Sequence, residues 1–186
     1  MKHHVLCQTG RWACTWVGLV ICLAVILGGC GKKEVPLTKA GQKCKKALLA
    51  EMNELTTALT GSVAQEDWVT TEKILQTSFE KLQNEGIFAP ERIAVLDRNG
   101  ITQGGFPPRT IRAMDFSSYQ QARIVYEQKK ITPTMLYLEG NKIFVLIGPL
   151  LQKNQVIGAA LMIFPDESLK KWQVSEQEFL SIDFNR

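Results

Sequence analysis

The sequence has few of the side chains that catalysis and metal binding most often use. It contains only two histidines, His3 and His4, in 186 residues, and it has no P-loop and no G-x-G-x-x-G turn. Its carboxylates are scattered, and no spacing among them singles out an acid/base pair. There is also no low-complexity tract and no internal repeat. We therefore expect a protein that is not an enzyme and that uses no metal or cofactor.

The charge balance does not favour nucleic acid binding. The formal net charge is +4, from 22 basic and 18 acidic residues. Two of the basic residues, Lys2 and Arg11, precede Cys30, and without them 20 basic residues are scattered among 18 acidic ones. So small an excess, spread along the chain, forms no basic patch that would follow a phosphate backbone.

The amino-terminal segment has the pattern of a secretion signal. Basic residues come first, and an uncharged run follows from Trp12 to Gly31. The most apolar part, Trp16 to Leu27, has the length of a signal peptide's apolar region. The run ends in Leu27-Gly28-Gly29-Cys30, which resembles the lipobox of bacterial lipoproteins. The resemblance implies cleavage before Cys30 and acylation of that cysteine, so that several acyl chains anchor the protein stably.

An uncleaved transmembrane helix is the alternative. The uncharged run is long enough to span a bilayer, and the lysines that follow it would place the domain in the cytoplasm. We favour the lipoprotein because Cys30 lies at the end of a short apolar run, after the three expected residues. The protein would then lie outside the cytoplasm. Because Gly31 is not an aspartate, the lipoprotein sorting rule favours the outer membrane in a cell with two membranes.

Removal of the signal peptide changes the cysteine inventory. Cys7, Cys14 and Cys22 would leave with it, and Cys30 would carry lipid. Only Cys44 would remain, so neither an internal disulfide nor a cysteine-based metal site is expected. Cys44 lies among lysines, which would lower the pKa of an exposed thiol and make it reactive. An intermolecular disulfide and an inert thiol both remain open for Cys44.

The sequence divides into four parts. We predict a signal peptide at 1–29, a lipidated cysteine and tether at 30–44, a folded domain at 45–172 and a tail at 173–186. The tether extends to about Gln42, and the apolar residues of the tail predict that it docks on the domain. Two helices are predicted from apolar residues recurring at helical spacing: Leu48, Met52, Leu55 and Leu59 in the first, and Trp68, Leu75, Phe79 and Leu82 in the second.

The remainder of the domain predicts an antiparallel sheet. A β-rich run at 93–96 meets the turn signal Asn99-Gly100, which indicates a hairpin. A three-strand meander follows at 134–140, 142–150 and 155–164. Its last two strands are apolar almost throughout, so both faces of the sheet centre should be covered. The helices would cover one face and residues 106–130 the other.

Two shorter helices are also predicted. Asp115 or Ser117 would cap one helix, which runs through Tyr126. Asp166 would cap another, which ends near Trp172. Because the second face of the sheet would be covered by a loop and a helix, a small-molecule pocket is expected there.

This order of elements resembles the Cache family of extracytoplasmic sensor domains, which are PAS-like. The resemblance covers residues 45–172, and it is carried by IAVLDRNGITQGG, DFSSYQQA and IGPLLQKNQVIGAALMIFPDESL. It implies an α+β fold with an antiparallel sheet of about five strands, a long N-terminal helical segment on one face and a loop-helix cover on the other. The chain departs from the family in lacking an output module, and in lacking as a unit the arginine, tryptophan and tyrosine typical of amino-acid-binding members.

We call residues 106–130, which would cover the second face of the sheet, the second cover. Six residues of the second cover and of the strand beneath it are candidates for ligand binding. Arginine side chains could make two parallel hydrogen bonds to a ligand carboxylate. Tyrosine side chains could line the site and donate hydrogen bonds. Solvated arginines and core tyrosines are the alternative. The candidates are Arg109, Arg112, Tyr119, Arg123, Tyr126 and Tyr137.

Three functions fit the sequence. The first is a lipid-anchored sensor that binds a small organic molecule and acts through a partner protein. The second is a structural or assembly lipoprotein whose PAS-like fold makes protein contacts, including a homodimer through the stripe from Leu48 to Leu59. The third keeps the uncleaved helix and is a cytoplasmic roadblock-like dimerisation module, although the closing strands fit it less well.

Overall fold

A five-stranded antiparallel sheet with the strand order β2-β1-β5-β4-β3 lies at the centre of the fold. The structure is a computed structural model that describes residues 36–85, 88–108, 114–138 and 140–186. The predicted signal peptide and Cys30 therefore lie outside the described residues. The strands are β1 (Arg92–Asp97), β2 (Thr102–Phe106), β3 (Thr132–Leu138), β4 (Asn141–Gln152) and β5 (Gln155–Pro165). The helices are α1 (Lys39–Ala64), α2 (Trp68–Glu85), α3 (Gln120–Gln128), α4 (Asp166–Trp172) and α5 (Glu176–Ser181).

The two long helices predicted from the apolar stripes are confirmed. Thr38 caps α1, because its Oγ1 accepts a hydrogen bond from the Gly41 N–H at 3.0 Å. Asp67 does the same for α2 by accepting from the Thr70 N–H at 3.0 Å. Helix α1 packs over β4 and β5, and α2 packs over β1 and β2. Because α1 begins at Lys39, residues 39–42 are helical and do not belong to a tether.

Both faces of the sheet are covered, as the continuous apolar strands predicted. Side chains of β4 and β5 alternate between two clusters, because successive residues of a strand point to opposite faces. The cluster under α1 and α2 takes Phe144, Leu146, Met162 and Phe164. The opposite cluster, referred to below as the lower cluster, takes Val145, Ile147, Leu161 and Ile163 together with Phe116, Ala122 and Val125 from the second cover. The predicted α+β architecture is therefore confirmed.

The hairpin between β1 and β2 is held by one aspartate. The Asp97 Oδ1 accepts hydrogen bonds from the Asn99 N–H at 2.8 Å and the Ile101 N–H at 3.0 Å. Gly100 has a φ of 80°, a conformation that glycine adopts without steric cost. A Cβ at Gly100 would also lie 3.0 Å from the Ser117 backbone nitrogen. The turn therefore packs closely against the segment that begins the second cover.

Two predicted helix caps are wrong. Tyr119 occupies the N-cap position of α3 and makes no capping hydrogen bond with its side chain. Pro165 occupies the N-cap position of α4, and Asp166 is the first residue inside that helix. The Asp166 carboxylate instead pairs with Lys142 Nζ at 3.1 Å, which ties α4 to β4. Both caps were predicted from acidic residues near the helix starts. In the structure the Asp115 carboxylate binds the Ser117 N–H and the Asp166 carboxylate binds Lys142.

The tail docks on the sheet beside α1, as its apolar residues predicted. Phe179 of α5 packs edge-to-face on Phe144, with ring centroids 5.5 Å apart. Ile182 and Phe184 are buried in the same cluster. The Asn185 side chain accepts a hydrogen bond from the Ile131 N–H at 2.9 Å and donates one to the Ile131 carbonyl at 3.0 Å. The tail therefore completes the helical cover over β3 and β4.

Burial decides two points about α1 that the sequence left open. Cys44 is fully buried, and burial first, then the charges of Glu178 and Glu51, raises the pKa of its thiol to about 12. It is therefore not the reactive thiol that its lysine neighbours suggested, and it cannot form an intermolecular disulfide in the folded state. The stripe from Leu48 to Leu59 is buried against the sheet, so it cannot also form a homodimer face.

Candidate ligand-binding site

A small cavity lies between the second cover and the ends of β3 and β4. It has a volume of about 50 Å³. Four residues of the loop before α3 form one side, and apolar residues of the two strands form its floor. The lining residues are Met114, Asp115, Phe116, Tyr119, Leu136, Tyr137, Leu138 and Ile143.

The loop side of this cavity is fixed by backbone hydrogen bonds to the β1–β2 hairpin. The Phe116 N–H donates to the Gly100 carbonyl at 2.9 Å, and the Thr102 N–H donates to the Met114 carbonyl at 3.0 Å. Ile101 and Asp115 form an isolated antiparallel bridge. The Phe116 side chain is buried in the lower cluster, so it holds the loop against the sheet. The cavity is thus bounded by ordered backbone rather than by side chains alone.

Asp115 is one of the lining residues and carries an exposed carboxylate. Its Oδ1 accepts a hydrogen bond from the Ser117 N–H at 2.8 Å. Hydrogen bonds from the Ser117 side chain and backbone hold the pKa of Asp115 below its ordinary value. The group is therefore ionised at neutral pH, and it would favour a ligand that carries a positive charge. Within the described ranges, no group of three metal-ligating side chains comes together.

Two tyrosines among the lining residues remain open to solvent. Tyr119 is 43% exposed and Tyr137 is 69% exposed. The Tyr119 ring lies against Phe116, with ring centroids 5.4 Å apart. The Tyr119 side chain therefore offers flat apolar area and a hydroxyl group beside the cavity. Tyr137 lies between Leu136 and Leu138 on β3, so its side chain points to the opposite face of the sheet. Both tyrosines are among the residues predicted from the sequence.

Solved structures with a similar fold include ligand-binding domains of chemoreceptors. The ligand-binding domain of the Campylobacter jejuni chemoreceptor Tlp3, in complex with 4-methylisoleucine, matches with a TM-score of 0.58 at 11% identity, over 89% of this chain and 64% of that one. The ligand-binding domain of the Pseudomonas aeruginosa chemoreceptor PctB, in complex with L-Arg, matches with a TM-score of 0.56 at 15% identity, over 72% and 55%. The chain has a Cache/PAS-like fold.

One more solved structure and the absence of sequence matches define the extent of this similarity. The ligand-binding domain of the Pseudomonas fluorescens chemoreceptor CtaA, in complex with L-serine, matches with a TM-score of 0.55 at 12% identity, over 84% of this chain and 63% of that one. The Cache/PAS-like chain therefore spans about half to two-thirds of the length of these neighbours. No protein-family model matches the sequence, and no curated protein matches it. The similarity thus lies in the fold.

The other four candidate residues do not contribute described side chains to the cavity. Arg109 and Arg112 lie outside the described residues. Arg123 is exposed on α3 and pairs with Glu127 at 3.1 Å, one helical turn away. Tyr126 is half-buried, and its hydroxyl donates to the Asp97 carbonyl at 2.6 Å. Burial, followed by the nearby Asp97 charge, raises the pKa of Tyr126, so this side chain stays neutral and braces the hairpin of the Cache/PAS-like domain.

The sequence prediction missed three of the lining residues that the structure shows. Asp115 was interpreted as a helix cap, because it precedes a helix by a few residues. Leu136 and Leu138 were interpreted as ordinary strand residues, although they pack at the edge of the lower cluster. The available signal was alternation along β3, which places Leu136 and Leu138 on the face that the second cover occupies. That alternation, combined with the bridge between Ile101 and Asp115, defines the cavity of the Cache/PAS-like domain.

Proposed function

We propose that this protein is a lipid-anchored extracytoplasmic sensor module that binds a small organic molecule and acts through a separate partner protein. The observation that carries this proposal is a cavity lined by Asp115 and Tyr119, in a Cache/PAS-like fold. The structural neighbours are sensor domains of chemoreceptors, and three of them are named as complexes with amino acids.

The dimensions of the cavity limit how a ligand would bind. A volume of about 50 Å³ accommodates one functional group, since a water molecule occupies about 30 Å³ in the liquid. The rest of the ligand would lie against the ring of Tyr119 at the entrance. An ammonium group suits the side of the cavity that Asp115 lines, because Asp115 would compensate its charge. We therefore propose a small amine or amino acid as the ligand.

A panel of amino acids, amines, carboxylates and purines tests this proposal on the purified full chain in detergent. A ligand at 100 times its Kd should stabilise the fold by ~2.7 kcal/mol, which raises the Tm by roughly 5 to 11 °C for a domain of this size. The substitution Asp115→Asn should abolish most of the shift for amine ligands. Glu167→Gln removes the same charge from an exposed position on α4 and should leave the shift unchanged.

Two results would contradict the sensor proposal. A panel in which no compound raises the Tm would show that the cavity takes no ligand of these classes. An equal shift in the Asp115→Asn and Glu167→Gln variants would show that binding occurs elsewhere. The first result would favour the second candidate function, an assembly module that uses this fold for protein contacts, because a cavity of this volume would then be only a packing feature.

We further propose that Cys30 carries the lipid anchor, on the support of the sequence Leu27-Gly28-Gly29-Cys30. The eight residues from Gly31 to Thr38 could span at most about 28 Å when fully extended. A lipid on Cys30 would therefore hold the domain close to a membrane surface. Because Gly31 follows the lipidated cysteine, we place the anchor in the outer membrane of a cell that has two. Within the described residues, no helix is long and apolar enough to span a bilayer.

Substitution of Cys30 by alanine is expected to abolish incorporation of labelled palmitate and to leave a larger, unprocessed chain. The reason is that the thiolate of this cysteine is the acceptor of the diacylglyceryl group. Cys44→Ala is the matched control, because this buried cysteine cannot be acylated in the folded domain, and its variant should be labelled and processed normally. Unchanged labelling and size in the Cys30→Ala variant would contradict the lipid anchor and favour a spanning helix.

A further inference from the structure

A larger groove lies at the end of the sheet where β4 extends beyond β3. The register of β3 with β4 stops at the pair formed by Thr132 and Ile147, so β4 has no strand neighbour on that side from Gly148 to Gln152. Helix α1 forms one wall of the groove and the end of the tail forms another. Its volume is about 590 Å³. It shares no lining residue with the cavity at Asp115.

The described lining of this groove is positively charged. It contains Lys129 and Lys130, and none of its described residues is a carboxylate. The Lys129 ammonium donates to the Asn154 carbonyl at 2.7 Å and lies 3.2 Å from the Asn154 side-chain oxygen. Both acceptors are neutral, so they position this ammonium without neutralising its charge. An anion in the groove would therefore meet a fixed positive charge that has no carboxylate partner among the lining residues.

Lys129 also has an unusual backbone conformation. Its φ is 57°, and it ends α3 in the left-handed region. Glycine or asparagine is the common residue at such a helix end, because other residues pay about 1 kcal/mol or more there. The backbone conformation alone therefore does not favour lysine at this position. Its side chain gains the contact with Asn154 and reaches the groove.

The α1 wall of the groove presents threonine hydroxyl groups that already donate a hydrogen bond to a backbone carbonyl. Thr57 Oγ1 donates to the Asn53 carbonyl at 2.7 Å, and Thr60 Oγ1 donates to the Thr56 carbonyl at 2.7 Å. Each hydroxyl has two lone pairs, so these oxygens can still accept hydrogen bonds. The groove thus offers hydrogen-bond acceptors on one wall and ammonium groups on the other, with Ile131, Leu151 and Phe184 as apolar surface.

We propose that this groove binds a small hydroxylated organic anion, such as a sugar phosphate or a sugar acid. The anionic group would lie at Lys129 and Lys130, and ligand hydroxyls would donate to Thr57 and Thr60. A volume of about 590 Å³ falls within the range of small-molecule sites. A peptide strand is a poorer occupant, because Pro149 of the unpaired β4 edge has no N–H to donate. This site is independent of the sensor function proposed above.

Calorimetric titration of the purified full chain in detergent tests the proposal with four probes. Glucose 6-phosphate and gluconate carry both an anion and hydroxyls, glucose has only the hydroxyls, and inorganic phosphate has only the anion. At least one of the first two should bind measurably more tightly than either of the last two. Lys130→Glu and Thr57→Val should each raise the Kd of that probe by about tenfold, the size of a lost hydrogen bond to a charged or polar group.

The control is Lys171→Glu, which makes the same charge change on the exposed part of α4 and should leave the Kd unchanged. Asp115→Asn should also leave it unchanged, which separates this groove from the amine site. The proposal is overturned if neither anionic sugar binds, or if inorganic phosphate binds as tightly as glucose 6-phosphate. It is equally overturned if Lys171→Glu weakens binding as much as Lys130→Glu does.

Discussion

Replacement of Gly158 with alanine is expected to destabilise the domain by about 3 kcal/mol, at the upper end of the cost of overpacking a well-packed core. Gly158 lies in the central strand β5, between Asp97 of β1 and Leu150 of β4. A Cβ at this position would lie 2.4 Å from the Leu96 carbonyl oxygen and 3.4 Å from atoms of Leu150 and Val63. The first of these is backbone in a paired strand, so it cannot move aside without breaking the sheet register.

The expected loss corresponds to a fall in Tm of roughly 6 to 12 °C, measurable by thermal or urea denaturation of the two chains side by side. Gly61→Ala is the matched control, because a Cβ at Gly61 in α1 would meet nothing within 4 Å. Alanine in a helix interior stabilises by roughly 0.5–1 kcal/mol relative to glycine, so this variant should melt slightly higher. A Gly158→Ala variant that melts with the parent protein would show that β1 and β5 can separate at this point.

The helices and the sheet were predictable because each depends on a periodic pattern. In α1, Leu48 and Met52 recur with the period of a helix, and in β4 the unbroken apolar run requires cover on both faces. Gly158 illustrates what the pattern does not contain. The Leu96 carbonyl oxygen occupies the space that a Cβ at Gly158 would need. These two atoms come close only when β1 and β5 pair in the observed register. A single sequence does not specify that register, although it predicts both strands.

The site was predicted less completely, for a related reason. The expectation of a cavity under the second cover followed from strand composition, and Tyr119 does line it. The Tyr137 side chain points to the other face of the sheet. Asp115 was misassigned because its local sequence also suits a helix cap. Its actual position depends on pairing with Ile101, a contact made by the loop after the hairpin turn has formed. Residues that act through long-range contacts of loops leave little periodic signal in the sequence.

Replacement of Gly41 with alanine is expected to disrupt the contact between the start of α1 and the tail. A Cβ at Gly41 would lie 2.1 Å from Glu178 Oε1 and 2.8 Å from its Cδ. The Glu178 side chain cannot easily leave, since Glu178 is only 8% exposed and its Oε1 accepts from the Thr38 N–H at 2.7 Å and the Thr38 hydroxyl at 2.8 Å. The sequence prediction missed this contact because it assigned Gly41 to a tether.

Combining Gly41→Ala with Glu178→Ala tests whether the Glu178 side chain is what requires glycine at position 41. We expect Gly41→Ala to cost about 3 kcal/mol through steric overlap, and Glu178→Ala to cost about 2 kcal/mol through loss of hydrogen bonds to a carboxylate. The double variant should lose only about 2 kcal/mol, because the added methyl group then meets no carboxylate, and contacting residues are not additive. Urea denaturation measures all three, and Glu167→Ala should give no such rescue. Additive losses in the double variant would mean that another contact requires glycine there.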